Sequence, residues 1–148
     1  MDAYRVSFIG NREIFRLYRF TEEFEFLIRL ILCSKEYVEF YVGRDGDFDV
    51  WVASQIKRIQ RETGYENFSL ILVLPYAKKG EERFADSYDE IRKPLDKKIH
   101  FKNAITKRNE WLVEHSDLLI SCVEKLSGRA YKTILYAEKK GVEIMNLR

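Results

Sequence analysis

Residues 68–76 read FSLILVLPY, and residues 117–123 read DLLISCV. Both are near-continuous apolar runs of strand length, without the polar alternation of a half-exposed strand. Runs of this kind are expected where a strand is buried on both faces, in a parallel sheet covered by helices. The flanking sequence alternates in type. RVSFIG (5–10) and EYVEFYVG (36–43) are β-rich runs that end in glycine. FTEEFEFLIRLILCS (20–34) has helical length and is densely apolar. Phe48, Val52, Ile56 and Ile59 recur at helical spacing in 48–63, and Gly64 stops that helix. Further helices are predicted over 102–115 and 128–140, and a last strand over 142–147. Strand and helix in this order predict an α/β domain with a mainly parallel sheet and helices on both faces. The polar segment 77–101 is expected to hold one short helix near Asp86–Ile91 and a short strand near Ile99.

At 148 residues the chain is read as one domain, residues 1–148. It carries 26 basic and 24 acidic residues, a net charge of +2. So even a balance speaks against nucleic acid as a partner, because such binders show a basic excess; RKPLDKK (92–98) is the one dense basic stretch. Cys33 and Cys122 each sit in an apolar run and read as buried free thiols in a reducing compartment. Arg5 and Arg12 interrupt any apolar leader, and Arg29 breaks FLIRLILC, so a soluble cytoplasmic chain is expected, with no membrane contact.

In parallel α/β sheets ligands gather beyond the carboxyl ends of the strands. Four loops qualify. In the first, Gly10 permits a tight turn, and Arg12 offers a planar cation suited to carboxylate or phosphate, or else a solvated surface charge. The second, GRDGDFD (43–49), fails as a calcium loop: Val50 and Ile56 stand where glycine and glutamate are needed. Gly43 and Gly46 could turn backbone amides toward an anion, with Arg44 beside them. Asp49 suits a ribose hydroxyl or a helix dipole, and Asp47 reads as the helix N-cap. The third loop opens with Pro75 and Tyr76, both placed in the candidate ligand site. The fourth holds Ser127 and Gly128, a second candidate anion cradle. Lys107, Arg108 and Asn109 would offer cations and an amide from the helix over 102–115. His100 and His115 lack zinc-like ligand spacing, and His115-Ser116-Asp117, adjacent in sequence, does not read as a triad. No metal, no cofactor and no catalytic residue is assigned.

In order along the chain, SFIGNRE, VGRDGDFDVWVASQI, LILVLPY and the run from TKRNEWLVEHSDLLISCV to YAEKKGVEIMNL resemble the SLOG superfamily. That group is named for the DNA-processing protein Smf/DprA and the cytokinin-activating LOG enzymes, and the similarity is closest to its YpsA-like branch of uncharacterised bacterial proteins. The resemblance implies a Rossmann-like three-layer fold that binds nucleotides or nucleotide-derived ligands. By position, Gly10, Asn11 and Arg12 resemble the family's glycine–histidine–arginine turn, with Asn11 replacing histidine. Gly43, Gly46 and Asp49 match its glycine-rich loop, from which Arg44 and Asp47 depart, and Asp47 weighs against tight phosphate binding. Arg108 and Asn109 match its RN pair. Ser127 and Gly128 are similar to its final turn, whose glycine–threonine end is replaced by Arg129 and Ala130. Related glycosidases carry a catalytic glutamate in the next helix, whereas YKTILYA has no acid before Glu138.

The resulting expectation is a cytoplasmic sensor for a nucleotide-like small molecule, without catalysis. The alternative is an N-glycosidic-bond hydrolase or transferase using Asp49, Glu81 or Glu82. The apolar helix over 20–34 suggests a homodimer.

Overall fold

The structure is a computed structural model and describes residues 2–148. Six strands and four α-helices follow in the order β1 (Tyr4–Gly10), α1 (Thr21–Ser34), β2 (Val38–Val42), α2 (Asp47–Thr63), β3 (Phe68–Val73), β4 (Glu90–Arg92), α3 (Phe101–Glu114), β5 (Leu118–Cys122), α4 (Gly128–Lys140) and β6 (Glu143–Asn146). The strands form one sheet in the order β4-β3-β2-β1-β5-β6, and every pair is parallel. This is a Rossmann-like α/β fold with helices on both faces.

The period of two along each strand divides the core. Phe8, Phe40, Leu70, Leu72 and Ile120 turn to the face that packs with α1 and α2. Their neighbours Ile9, Tyr41, Ile71, Val73 and Leu119 turn to the face that packs with α3 and α4. β5 is buried along its whole length, which explains why its sequence lacks polar alternation. The edge strands β4 and β6 are three and four residues long and carry charge, which limits edge-to-edge pairing.

The connection from β3 to β4 differs from the sequence reading. There is no helix at 86–91: a 3-10 turn spans Glu81–Phe84, and 90–92 pair with β3. The Asp89 amide donates to the Leu70 carbonyl (2.8 Å), and the Leu70 amide donates to the Asp89 carboxylate (2.7 Å). The unpaired edge of β3 needs backbone partners, and that demand outweighs the local helical tendency. Ile99 lies in a turn, its amide donating to the Asp96 carbonyl (3.1 Å), while the Asp96 side chain accepts from Lys98 (2.9 Å).

Cys122 is buried, and burial pushes its thiol up to about 12. Cys33, expected to be buried, is exposed. Helical spacing places it with Phe26 and Leu30, 66% and 53% exposed, on the outward side of α1, opposite buried Phe24, Ile28 and Ile31. Among the described residues no helix is long and apolar enough to cross a membrane.

Candidate functional site

Two strands that follow β1 in the sheet, β2 and β5, lie on opposite sides of it. The chain therefore diverges at β1, and in open α/β sheets a crevice forms outside the strand ends at such a point. Here it is a cavity of about 770 Å³, within the size range of small-molecule sites. Gly10, Asn11, Arg12, Gly43, Arg44, Gly46, Asp49, Arg108, Asn109, Ser127 and Gly128 line it, whereas Pro75 and Tyr76 do not. Leu74 and Pro75 turn inward as the chain leaves β3, Tyr76 is 42% exposed, and the third loop reaches the cavity through Lys78 instead.

Close backbone approach holds the loops together. A Cβ on Gly46 would stand 2.6 Å from both Cα and O of Arg12, so the second loop lies directly on the first. The Asp47 amide donates to that Arg12 carbonyl (2.8 Å). This contact makes Gly46 the N-cap of α2; Asp47, expected to cap it, is instead the first helical residue and exposed. The Asn11 amide donates to the Cys122 carbonyl (3.2 Å), and its side-chain oxygen accepts from the amides of Glu124 (2.7 Å) and Lys125 (3.4 Å). Asn11 thus ties the first loop to the fourth.

Arg108 is 3% exposed, and its donors serve the protein. Nε donates to Asn109 Oδ1 (3.0 Å), Nη1 to the Val73 carbonyl (2.9 Å) and Nη2 to Asp45 Oδ2. Gly43 makes room for it: a Cβ there would stand 2.7 Å from Arg108 Nη1 and 3.0 Å from Asp49 Oδ2. Asp49 Oδ2 accepts from the Asp45 amide (3.0 Å). Enclosure of the Asp49 carboxyl pushes its pKa up to about 6, against the opposing pull of Arg108 and the Asp45 amide.

Six basic residues line the cavity (Arg12, Arg44, Lys78, Arg108, Lys125, Arg129) against three acidic ones (Glu13, Asp45, Asp49). Arg44 is partly engaged, donating to the Tyr88 hydroxyl (3.1 Å) and lying 4.3 Å from the Phe84 ring centroid. α4 begins here with no side-chain hydrogen bond at its Ser127 N-cap and no acid in its first turn, which carries Arg129. α2 carries Asp47 and Asp49 in its own first turn. An anion is therefore favoured at α4, where the partial positive charge of the helix end is unopposed.

Sequence reading did not single out Lys78 or Lys125, and it treated Arg129 only as a departure from a pattern. Their signal was positional: each follows a strand end or opens a helix. Lys107 pairs with Glu110 (3.2 Å) and does not line the cavity. Neither do Glu81, which holds Lys93 (2.9 Å), and Glu82. His115 Nδ1 lies 2.8 Å from the Trp111 carbonyl oxygen, and Asp117 accepts from the Arg5 amide (2.8 Å), so His115, Ser116 and Asp117 form no triad.

No protein-family model and no curated protein sequence matches the chain. Solved structures match its fold. DNA processing protein A from Streptococcus pneumoniae superposes with a TM-score of 0.67 at 14% identity, over 97% of this chain and 50% of that one. DNA processing protein A from Helicobacter pylori, described for its single-stranded DNA binding mode, gives 0.62 at 15% identity, over 97% and 64%. The Moco carrier protein from Chlamydomonas reinhardtii gives 0.56 at 15% identity, over 99% and 76%. The chain thus spans about half to two-thirds of the two DNA processing proteins. The shared fold is the Rossmann-like α/β fold that the sequence resemblance implied.

One expectation is overturned. Nucleic acid had been set aside on net charge, yet a protein that binds single-stranded DNA has this fold. Net charge averages the whole surface, whereas the cavity concentrates six basic residues against three acids.

Proposed function

We propose that this domain binds a phosphate-bearing nucleotide or nucleotide derivative in the crevice between the ends of β1 and β5. One observation carries the reading: a basic cavity of nucleotide size into which α4 opens without an acidic residue or side-chain cap. The phosphate sits at the first turn of α4, with Lys125 and Arg129 beside it. Asp49, on the other side of the cavity, accepts hydrogen bonds from sugar or base. The domain is read as a sensor and not a catalyst: α4 supplies no carboxylate before Glu138, Glu81 and Glu82 lie outside the cavity, and Asp49, the one of the three inside it, has Oδ2 bound to the Asp45 amide. Two copies pair through Phe26 and Leu30 of α1.

A second reading has its own observations, besides the likeness to a single-stranded DNA binder. Phe15 is 75% exposed with the Arg16 guanidinium 4.9 Å from its ring centroid, and Tyr18 is 70% exposed. Phe101, 66% exposed, stacks on His100 at 4.7 Å between Lys98 and Lys102. Exposed aromatics among cations suit stacked bases and a phosphate backbone, so the nucleotide can be one unit of a single strand.

A thermal-shift panel of nucleoside mono-, di- and triphosphates, cyclic nucleotides, NAD, ADP-ribose and short thymidine oligonucleotides tests both. A ligand at a hundred times its Kd should raise Tm by on the order of 5–10 °C. A shift with mononucleotides alone supports the sensor. A shift that needs several linked nucleotides and fades steeply with salt supports the single strand. No shift from any member contradicts both.

A further inference from the structure

We propose that Asp45 is a built-in competitor with a second anionic group of the ligand for Arg108. It occupies the arm of Arg108 that no buried partner holds, so that binding is coupled to release of the loop over 43–46. The inference rests on the crevice being an anion site, as proposed above, and concerns its regulation.

Two of the Arg108 nitrogens are held by buried partners. Nε is held by Asn109, and Nη1 by the carbonyl that ends β3. The remaining arm, Nη2, is taken by Asp45. The two partners differ in accessibility: the Arg108 side chain is 4% exposed and that of Asp45 25%. Asp45 therefore stands between the guanidinium and the cavity, where an entering phosphate or carboxylate would meet it first. A carboxylate accepting from a guanidinium is the same charge-assisted contact that a ligand phosphate would make. The exchange has somewhere to put the displaced side chain, because Lys78 Nζ already lies 3.9 Å from Asp45 Oδ1. Gly43 packs against Arg108 Nη1, and the Asp45 amide donates to Asp49. Asp45 lies between these two contacts, so its release from Arg108 loosens the loop over 43–46, and the loop reports occupancy.

The test is isothermal titration with inorganic pyrophosphate at fixed ionic strength, on the parent chain, Asp45→Asn, Glu13→Gln and Arg129→Ala. Asparagine keeps the size of the side chain and an acceptor for Arg108, and circular dichroism checks that each variant folds. Asp45→Asn should bind pyrophosphate at least about tenfold more tightly than the parent, the scale of one charge-assisted hydrogen bond. Glu13→Gln removes the same charge from the same cavity without touching Arg108, and should change binding by less than about threefold. An unchanged or weakened Asp45→Asn overturns the proposal, and so does a gain from Glu13→Gln equal to that from Asp45→Asn. In either case, loss of binding in Arg129→Ala leaves the anion site itself standing. If parent and Asp45→Asn both fail to bind, the anion site and the competitor fall together.

Discussion

Asp49 enters the cavity from the first turn of α2, and its pKa of about 6 lies above the ordinary 3.8. Between those values the folded chain holds a proton that the unfolded chain has lost. The Asp49 contribution to stability is therefore full below about pH 4 and is lost as pH rises through about 6, amounting to about 3 kcal/mol at most. Asp49→Asn removes that dependence while keeping an acceptor for the Asp45 amide. Urea midpoints of parent and variant should diverge in the variant's favour from about pH 4 to about pH 7. Parallel curves would contradict this account. Gly46 gives a second prediction at this scale. Its hypothetical Cβ meets backbone of the first loop at 2.6 Å, which no rotamer change relieves. Gly46→Ala should cost about 1–3 kcal/mol and lower Tm by roughly 3–10 °C in a thermal melt. At the residue scale the sequence was least informative. Arg108 and Asn11 were marked as ligand-facing by type and position, yet both spend side-chain contacts on joining loops, because hydrogen-bond partners far apart in sequence are set only by the fold.

Helix ends decide which element holds the anion. α4 has a basic first turn and α2 an acidic one. Arg129→Glu therefore separates stability from function. The new acid complements the helix dipole and should leave Tm unchanged or raised by the equivalent of about 0.3–1 kcal/mol. The same change should weaken nucleotide binding by about tenfold or more. Loss of both stability and binding would mean that Arg129 supports the fold instead. α1 poses a different question. Its inner face is core, while Phe26 and Leu30 point outward. Leu30→Glu should convert a dimer to a monomer by light scattering while leaving the circular dichroism spectrum unchanged, and a parent that is monomeric at every concentration would refute the pairing. The densely apolar sequence of α1 signalled an extra face, but it could not separate the buried Ile28 from the exposed Leu30 without the direction of the sheet.

Across the whole molecule, the order of elements was legible because buried parallel strands leave uninterrupted apolar runs and each helix ends at a glycine or polar junction. β3 and β5 show this most clearly. The β3–β4 connection was not legible, because Glu90–Arg92 is a strand only through pairing with β3. The site was legible in outline, since strand ends define it, but its basic character depends on Lys78, Lys125 and Arg129 converging from separate loops. The most direct measurement is an amide proton–nitrogen correlation spectrum of the chain titrated with adenosine and thymidine monophosphates. The account predicts saturable shifts centred on Lys125, Gly128, Arg129 and Ala130, extending to Asn11 and Arg12, and absent in Arg129→Glu. Shifts centred elsewhere, such as on the outer face of α1, or no shifts at all, would contradict it.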